Sequence, residues 1–289
     1  MRRPRDRLPY FDFLFDQLAK NNALVERAFG NNVHWGYWES PEKADTSAVG
    51  FSQASENLNL ELLRELDIEE GNDILDVGCG FGGTMATLDR LYQGVHVTGL
   101  NIDPRQISRA RQALLPKRKA SNSVEFIVGD ACRLPFPDCS FDHIAAVECI
   151  FHFPDREIFF KEACRVLRPG GRLVLSDFIS TGKARLPLLL LFLTHGWSFM
   201  KIYGVGFGRP PTVVKYLELA GNSGFDALKV RDINRNTLPT YQFLSRFAQN
   251  FSGIERRMKR GNRFLEMASR SGAMTYQILV LNKRLRENL

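Results

Sequence analysis

Four carboxylates and one amide stand where apolar runs of this 289-residue chain end: Asp76, Asn101, Asp130, Glu148 and Asp177. The first lies in Asp73-Ile74-Leu75-Asp76-Val77-Gly78-Cys79-Gly80-Phe81-Gly82-Gly83, where an apolar run meets an acid and passes into a glycine-rich turn. Missing Cβ atoms at such a turn let a ligand lie against backbone N–H groups at a helix N-terminus. Gly78, Gly80 and Gly83 fit a dinucleotide-binding turn; Gly78, Gly80 and Gly82, with Cys79 among them, fit a turn for S-adenosylmethionine (SAM). Asp76 weighs for the second, because a carboxylate there repels a pyrophosphate and suits an ammonium group.

The remaining strand ends supply the rest of a nucleoside site. Thr98-Gly99-Leu100-Asn101-Ile102-Asp103 ends a second strand, so Asn101 and its neighbour Ile102 face the same crevice as the glycine turn. Asn101 can hydrogen-bond ribose hydroxyls, and Gln106, one turn into the next helix, can add a bond from the same side or remain a solvated amide. Val128-Gly129-Asp130-Ala131 ends a third strand. Asp130 there can accept from an adenine amine while the Ala131 N–H faces a ring nitrogen; equally, Asp130 can cap a helix. Glu148 ends a fourth strand, followed by Phe151, His152 and Phe153, and Asp177 ends a fifth. An imidazole suits proton removal from a hydroxyl near neutrality, so His152 is the candidate general base, with Asp177 orienting it or standing in for it. A structural histidine capping the next helix is the competing use of His152.

The elements that must position these residues follow from periodicity. Residues 1–30 read as helical on the apolar face of Phe11, Phe13, Leu14, Phe15, Leu18, Leu24, Val25 and Phe29. Asn31 to Glu39 is a loop holding His34, Trp35, Tyr37 and Trp38, read as a lid over a ligand, with a structural plug as its alternative. A helix over 53–66 leads into the turn. Strands at 73–78, 95–101, 124–129, 141–148 and 171–178 alternate with helices near 83–92, 104–115 and 155–167, the pattern of βαβ units and a parallel sheet. Arg168-Pro169-Gly170-Gly171 reads as a helix stop and turn. Beyond it come an apolar insertion over 182–209, a helix from Pro210-Pro211-Thr212, a strand at 225–231, helix over 236–272 and a closing strand at 274–281. The expected divisions are 1–66 (helices and lid), 67–181 (core), 182–272 (helical cap) and 273–289 (closing strand and tail).

Composition bounds the class. The chain is 44% hydrophobic, enough for an ordinary core, and its net charge of +7 gathers near the ends without an aromatic-interleaved nucleic-acid signature. The five cysteines show no metal spacing and read as reduced thiols of a cytoplasmic protein, and no metal is expected. No secretory leader is visible, and the apolar run Leu186 to Leu193 is too short to span a bilayer.

The set ILDVGCGFGG, GLNIDPRQ, GDACRLPFPD, FDHIAAVECIFHFPDRE and RVLRPGGRLVLSDF resembles class I SAM-dependent methyltransferases. Within them it is similar to the sterol, tocopherol and ubiquinone-type enzymes and to natural-product sugar O-methyltransferases of the rebeccamycin kind. The match runs in order over residues 33–180. It implies a doubly wound, Rossmann-like α/β fold with seven mostly parallel strands, an antiparallel last strand, an N-terminal helical lid and a helical cap. It also implies that Asp76 to Gly82 hold the methionine end of SAM, Asn101 and Gln106 the ribose, and Asp130 and Ala131 the adenine. Glu148 would border the methionine and the acceptor, and Tyr37 would lie near the cofactor. His152 and Asp177 match positions proposed as bases in related sugar O-methyltransferases, some of which carry His-His where this chain has Phe151-His152.

The phenylalanine-rich cap implies a lipophilic small-molecule acceptor, with His34, Trp35, Trp38, Phe151 and His195 as candidate contacts; a homodimer contact is another use for the same surface. Methyl transfer to a hydroxyl of a secondary metabolite is the leading expectation. The alternatives are carbon methylation of a prenyl, sterol or quinone-type acceptor, with Glu148 taking the proton, or N-methylation. A nucleic-acid enzyme would need a stacking tetrapeptide of Pro-Pro-Tyr type where this chain has Glu148-Cys149-Ile150-Phe151, and no nucleic-acid partner is expected. A SAM-binding scaffold without turnover is the non-enzymatic reading.

Overall fold

The computed structural model describes residues 8–182, 211–251 and 255–285. The apolar insertion expected over 182–209, with His195 and the Leu186 to Leu193 run, falls outside them but for Gly182. A seven-stranded sheet runs in the order β3-β2-β1-β4-β5-β7-β6. Its strands are β1 (Asp73–Val77), β2 (His96–Asn101), β3 (Ser123–Val128), β4 (Phe141–Val147), β5 (Leu167–Ser180), β6 (Phe225–Asp232) and β7 (Met274–Lys283). Strands β1 to β5 pair in parallel, while β7 runs antiparallel to both β5 and β6. The described helices are α1 (Pro9–Ala19), α2 (Ala23–Phe29), α3 (Ala48–Leu63), α4 (Gly83–Leu91), α5 (Pro104–Leu114), α6 (Arg156–Val166), α7 (Val213–Asn222), α8 (Asn234–Thr237), α9 (Pro239–Ala248) and α10 (Glu255–Arg270).

Alternation along the strands divides two cores. Ile74, Val97, Ala145, Val174 and Phe178 join the helices before the sheet and after β6. Leu75, Val77, Ile144, Leu173, Leu175 and Ile179 pack on α6 and α7 through Phe159, Phe160 and Tyr216. The sheet is therefore covered on both faces, and its apolar runs read as continuous.

Three local readings change in the folded chain. The N-terminal helical stretch is broken, because Asn21 sits at φ 54° and the Asn22 side chain accepts from Leu24 and Val25 N–H, starting α2 afresh. Pro239 opens α9, so the helical stretch over 236–272 comes as separate helices. Arg168-Pro169-Gly170-Gly171 is an irregularity inside β5 and not a turn ahead of it. The β4 partner of Leu167 is Phe141 and that of Arg172 is His143, so β5 spends extra residues between two pairings. Gly170 at φ 78° permits the detour.

Candidate functional site

The C-terminal ends of β1, β2, β3 and β4 meet the starts of the following helices along one edge of the sheet. At β1 the chain turns through Gly78 (φ 73°), Gly80 (φ 54°) and Gly82 (φ 86°), a backbone that side chains other than glycine's rarely accept. A Cβ on Gly78 would lie 2.6 Å from the Cys149 Cβ, so this glycine lets the turn press against the end of β4. A Cβ on Gly80 would meet only Gln106 Oε1 and Gly78 O, both at 3.9 Å, leaving open space beside the turn. Gly83 has a different duty, since a Cβ there would stand 1.7 Å from Asn32 Oδ1. Helix α4 starts at Gly82 without a side-chain cap, which leaves its first N–H groups for a ligand.

Asp76 sits within this turn's reach, 1% exposed, and neither carboxyl oxygen has a hydrogen-bond partner. Its register neighbours on β2 and β4 are Gly99 and Ala145, which offer no side-chain donor. Burial pushes the carboxyl up to about 8. A buried, unpartnered acid is costly unless it keeps its proton or meets a cation, and an α-ammonium meets that need.

Asn101 and Gln106 are brought together. Asn101 Nδ2 donates to Gln106 Oε1 at 3.2 Å, and Asn101 Oδ1 accepts from Asp103 N at 2.9 Å. Both amides are buried, so Gln106 is not the solvated side chain of the bland reading. Ile102 beside them is 46% exposed, and Val128 at the end of β3 is also exposed. Asp130 caps no helix: its Oδ1 accepts from Cys132 N at 2.8 Å in a tight turn, and the residue is exposed next to buried Ala131. Cys79 is buried with its thiol pushed well up by desolvation, an inert group lining the back of the turn.

At the end of β4, Glu148 adopts φ 48°, a conformation held only where the surroundings impose it. Its N–H donates to Ser176 O and Ser176 Oγ, both at 3.2 Å. Its Oε2 accepts from Trp35 N at 2.9 Å and from the Tyr276 hydroxyl at 2.7 Å. Ser176 Oγ lies 3.1 Å from the same tyrosine oxygen. Desolvation raises the Glu148 carboxyl to about 8, against the two donors, which lower it. Tyr276, fully buried on β7, carried no signal in the sequence; only the antiparallel β5–β7 register brings it here.

His152 and Asp177 are kept apart. The Tyr10 hydroxyl lies 3.3 Å from His152 Nε2, and Nδ1 is buried without a partner. Burial among Tyr10 and Phe151 holds this imidazole well below its usual range, although the residue as a whole is half-buried. Asp177 faces the opposite core. Its Oδ2 accepts from the Tyr216 hydroxyl and lies 3.9 Å from Arg156 Nη2, while Oδ1 accepts from Phe178 N at 2.7 Å. Desolvation raises Asp177 to about 6 despite Arg156 and Tyr216. Strand alternation explains the separation, because Ser176 and Phe178 face the Glu148 side and Asp177 the other.

The loop at 31–39 is docked on the core. Trp35 is buried, with its ring edge-on to Phe178 and Tyr241 at 5.2 Å and 5.9 Å. Trp38 is buried too, its Nε1 donating to Asp45 O. His34 Nδ1 pairs with Trp35 O at 2.9 Å, and burial lowers this imidazole. Tyr37 lies among Glu61, Glu39, Arg231 and Arg64, charges that belong to α3, β6 and its own loop rather than to the strand-end crevice. The element lying across the strand ends is α1: Phe11 and Phe15 pack on Phe81 of the glycine turn, Asp12 pairs with Arg105 at the start of α5, and Tyr10 reaches His152. Phe151 packs between His152 and Phe178.

Comparison with known proteins identifies the family and the fold. A methyltransferase domain family matches residues 75–175. The chain is 34% identical to methyltransferase GfsG of Streptomyces halstedii over 78% of its own length and 77% of that protein's. It is 31% identical to the 27-O-demethylrifamycin SV methyltransferase of Amycolatopsis mediterranei, over 80% and 79% of the two chains. Among solved structures, mycolic acid cyclopropane synthase CmaA1 has the same fold, with a TM-score of 0.80 at 19% identity, over 98% of this chain and 99% of that one.

Proposed function

The chain belongs to the class I SAM-dependent methyltransferases, and from that premise we propose that it methylates a hydroxyl group of a lipophilic small molecule. One observation carries the cofactor placement: both oxygens of buried Asp76 lack a partner, beside a glycine turn with open space at Gly80. In this reading Asp76 takes the ammonium of SAM and Gly78 to Gly82 follow its methionine chain. Asn101 and Gln106 hold the ribose, and Ile102 with Asp130 and Ala131 borders the adenine.

SAM supplies a methyl group already activated on a sulfonium, so the protein's task is to align an acceptor oxygen, exclude water and remove one proton. Phe151, Phe178 and the buried Trp35 make the surface next to Glu148 apolar, which suits a lipophilic acceptor. The relative named for 27-O-demethylrifamycin SV supports oxygen as the target. In this reading the proton goes to His152 or Glu148. The test is incubation with methyl-labelled SAM and a panel of lipophilic phenols, alcohols and prenylated quinols. Label recovered as a methyl ether supports the reading, and label found only on carbon rejects it.

A further inference from the structure

We propose that Glu148 is the proton acceptor of the transfer and that Tyr276, on β7 two strands away in the same sheet, is the positioning residue that aims it. This rests on the hydroxyl reading above. Both protein donors to the Glu148 carboxylate, Trp35 N–H and the Tyr276 hydroxyl, reach the same oxygen, Oε2. Oε1 has no partner among the described residues and is not among the buried, sealed-off polar atoms. One oxygen is therefore pinned and the other is left for a ligand. Ser176 ties the arrangement together, with its hydroxyl on both the Tyr276 oxygen and the Glu148 N–H. The left-handed backbone at Glu148 is the cost of presenting the side chain here. Cys149, whose Cβ would meet one on Gly78, puts the next residue directly against the glycine turn, so Glu148 borders the place where the reactive end of the cofactor lies.

Desolvation by burial sets the sign of Glu148's behaviour, and the groups facing it adjust the size. Asp177 on β5 raises it, while Tyr276 on β7 and Trp35 N–H on the docked loop lower it. Tyr241 on α9 and the neighbouring thiol of Cys149 are held in their neutral forms and contribute no opposing charge. The carboxyl stands near 8, where a carboxylate is a far stronger base than an exposed one. His152 is held by its surroundings as a weak base, with Nε2 engaged by Tyr10. In the step, the acceptor O–H proton passes to Glu148 Oε1 as the oxygen–carbon bond forms and the carbon–sulfur bond breaks. The sulfonium leaves as a neutral thioether, and Glu148 afterwards gives its proton to solvent.

The experiment compares wild type with Glu148→Gln, Tyr276→Phe and His152→Gln by infrared pH titration of the whole protein and by methyl transfer from labelled SAM to the hydroxyl panel. Wild type is expected to show a carboxyl titrating near 8 that is missing from Glu148→Gln. In Tyr276→Phe that titration moves to higher pH, because a donor to the charged form is lost. Glu148→Gln is expected to lower kcat by roughly 10²- to 10⁴-fold, the usual worth of a general base, with S-adenosylhomocysteine affinity unchanged by calorimetry. The acid limb of the rate profile in Tyr276→Phe shifts upward together with the infrared titration, and His152→Gln leaves that limb in place. A Glu148→Gln variant that keeps the wild-type rate overturns the proposal. So does one that loses cofactor affinity instead, which would make Glu148 a cofactor ligand, and so does a carboxyl titrating in the ordinary range. If no hydroxyl in the panel is methylated, the function reading fails while the infrared titration still decides whether Tyr276 tunes Glu148.

Discussion

Taking the Asp76 carboxyl out of water with no donor against it raises its proton affinity, and the folded protein carries that conflict until a cation arrives. The folded value, near 8, lies above the unfolded one, 3.8, so the folded chain binds the extra proton and its stability falls as pH rises from about 4 to 8. Asp76→Asn removes the penalty. The variant without ligand is expected to match wild type near pH 4 and to be at least about 1 kcal/mol more stable at pH 8, a rise of roughly 2–4 °C in Tm. The same change removes the partner of the ammonium, which should weaken S-adenosylhomocysteine by at least about 30-fold, the lower end for losing one member of a buried charge pair. Calorimetry and thermal melts across pH check both. An Asn variant that bound as wild type does would move the ammonium elsewhere. Asn101→Ala tests the neighbouring strand end, because it removes both the Gln106 bond and the cap on Asp103 N–H. Weaker binding with little change in melting would assign the amide to the ligand rather than to the fold.

Helix α1 is the element whose role the sequence concealed. Its apolar face announced a docked amphipathic helix, but the pattern does not say where such a helix docks, and the aromatic loop at 31–39 drew the lid assignment because its tryptophans are hard to place in water. In the folded chain those tryptophans are buried and Phe11, Asp12 and Phe15 lie over the glycine turn and α5. Phe81→Ala removes the ring that both phenylalanines and Arg109 pack on. The expected cost is about 3–5 kcal/mol, with faster amide exchange in residues 9–19 than in the sheet; unchanged exchange there would show that α1 is held by other contacts. Strand ends and the glycine turn were legible because parallel strands buried on both faces leave continuous apolar runs, and because Asp76 and Asn101 break those runs at fixed places. Tyr276 and the Asp177–Tyr216–Arg156 cluster were not, since they depend on antiparallel pairing across a hundred residues and on which face of β5 each side chain takes.

At the scale of the molecule, the parts of the site come from elements far apart in sequence, so a ligand that bridges them must stabilise the whole. The glycine turn, β2, β3, β4, the docked loop and α1 converge on one edge, and β7 reaches it through Tyr276. At about 100 times its dissociation constant, S-adenosylhomocysteine is expected to add ~2.7 kcal/mol, which for a chain of this size raises Tm by roughly 5–10 °C. Asp76→Ala should abolish most of that rise, whereas duplex DNA at physiological salt should give none, because the net charge of +7 has no accompanying base-stacking signature. The distribution of the effect is more telling than its size. A ligand gripped between strand ends and α1 slows amide exchange in residues 9–19, in 76–84 and at 101–106 together, while β6, on the far edge of the sheet, keeps its rates. Protection confined to one of these segments, or a thermal shift that survives Asp76→Ala, would mean that the nucleoside rests somewhere other than the carboxyl edge, and the positions assigned to Asn101, Asp130 and Glu148 would fall with it.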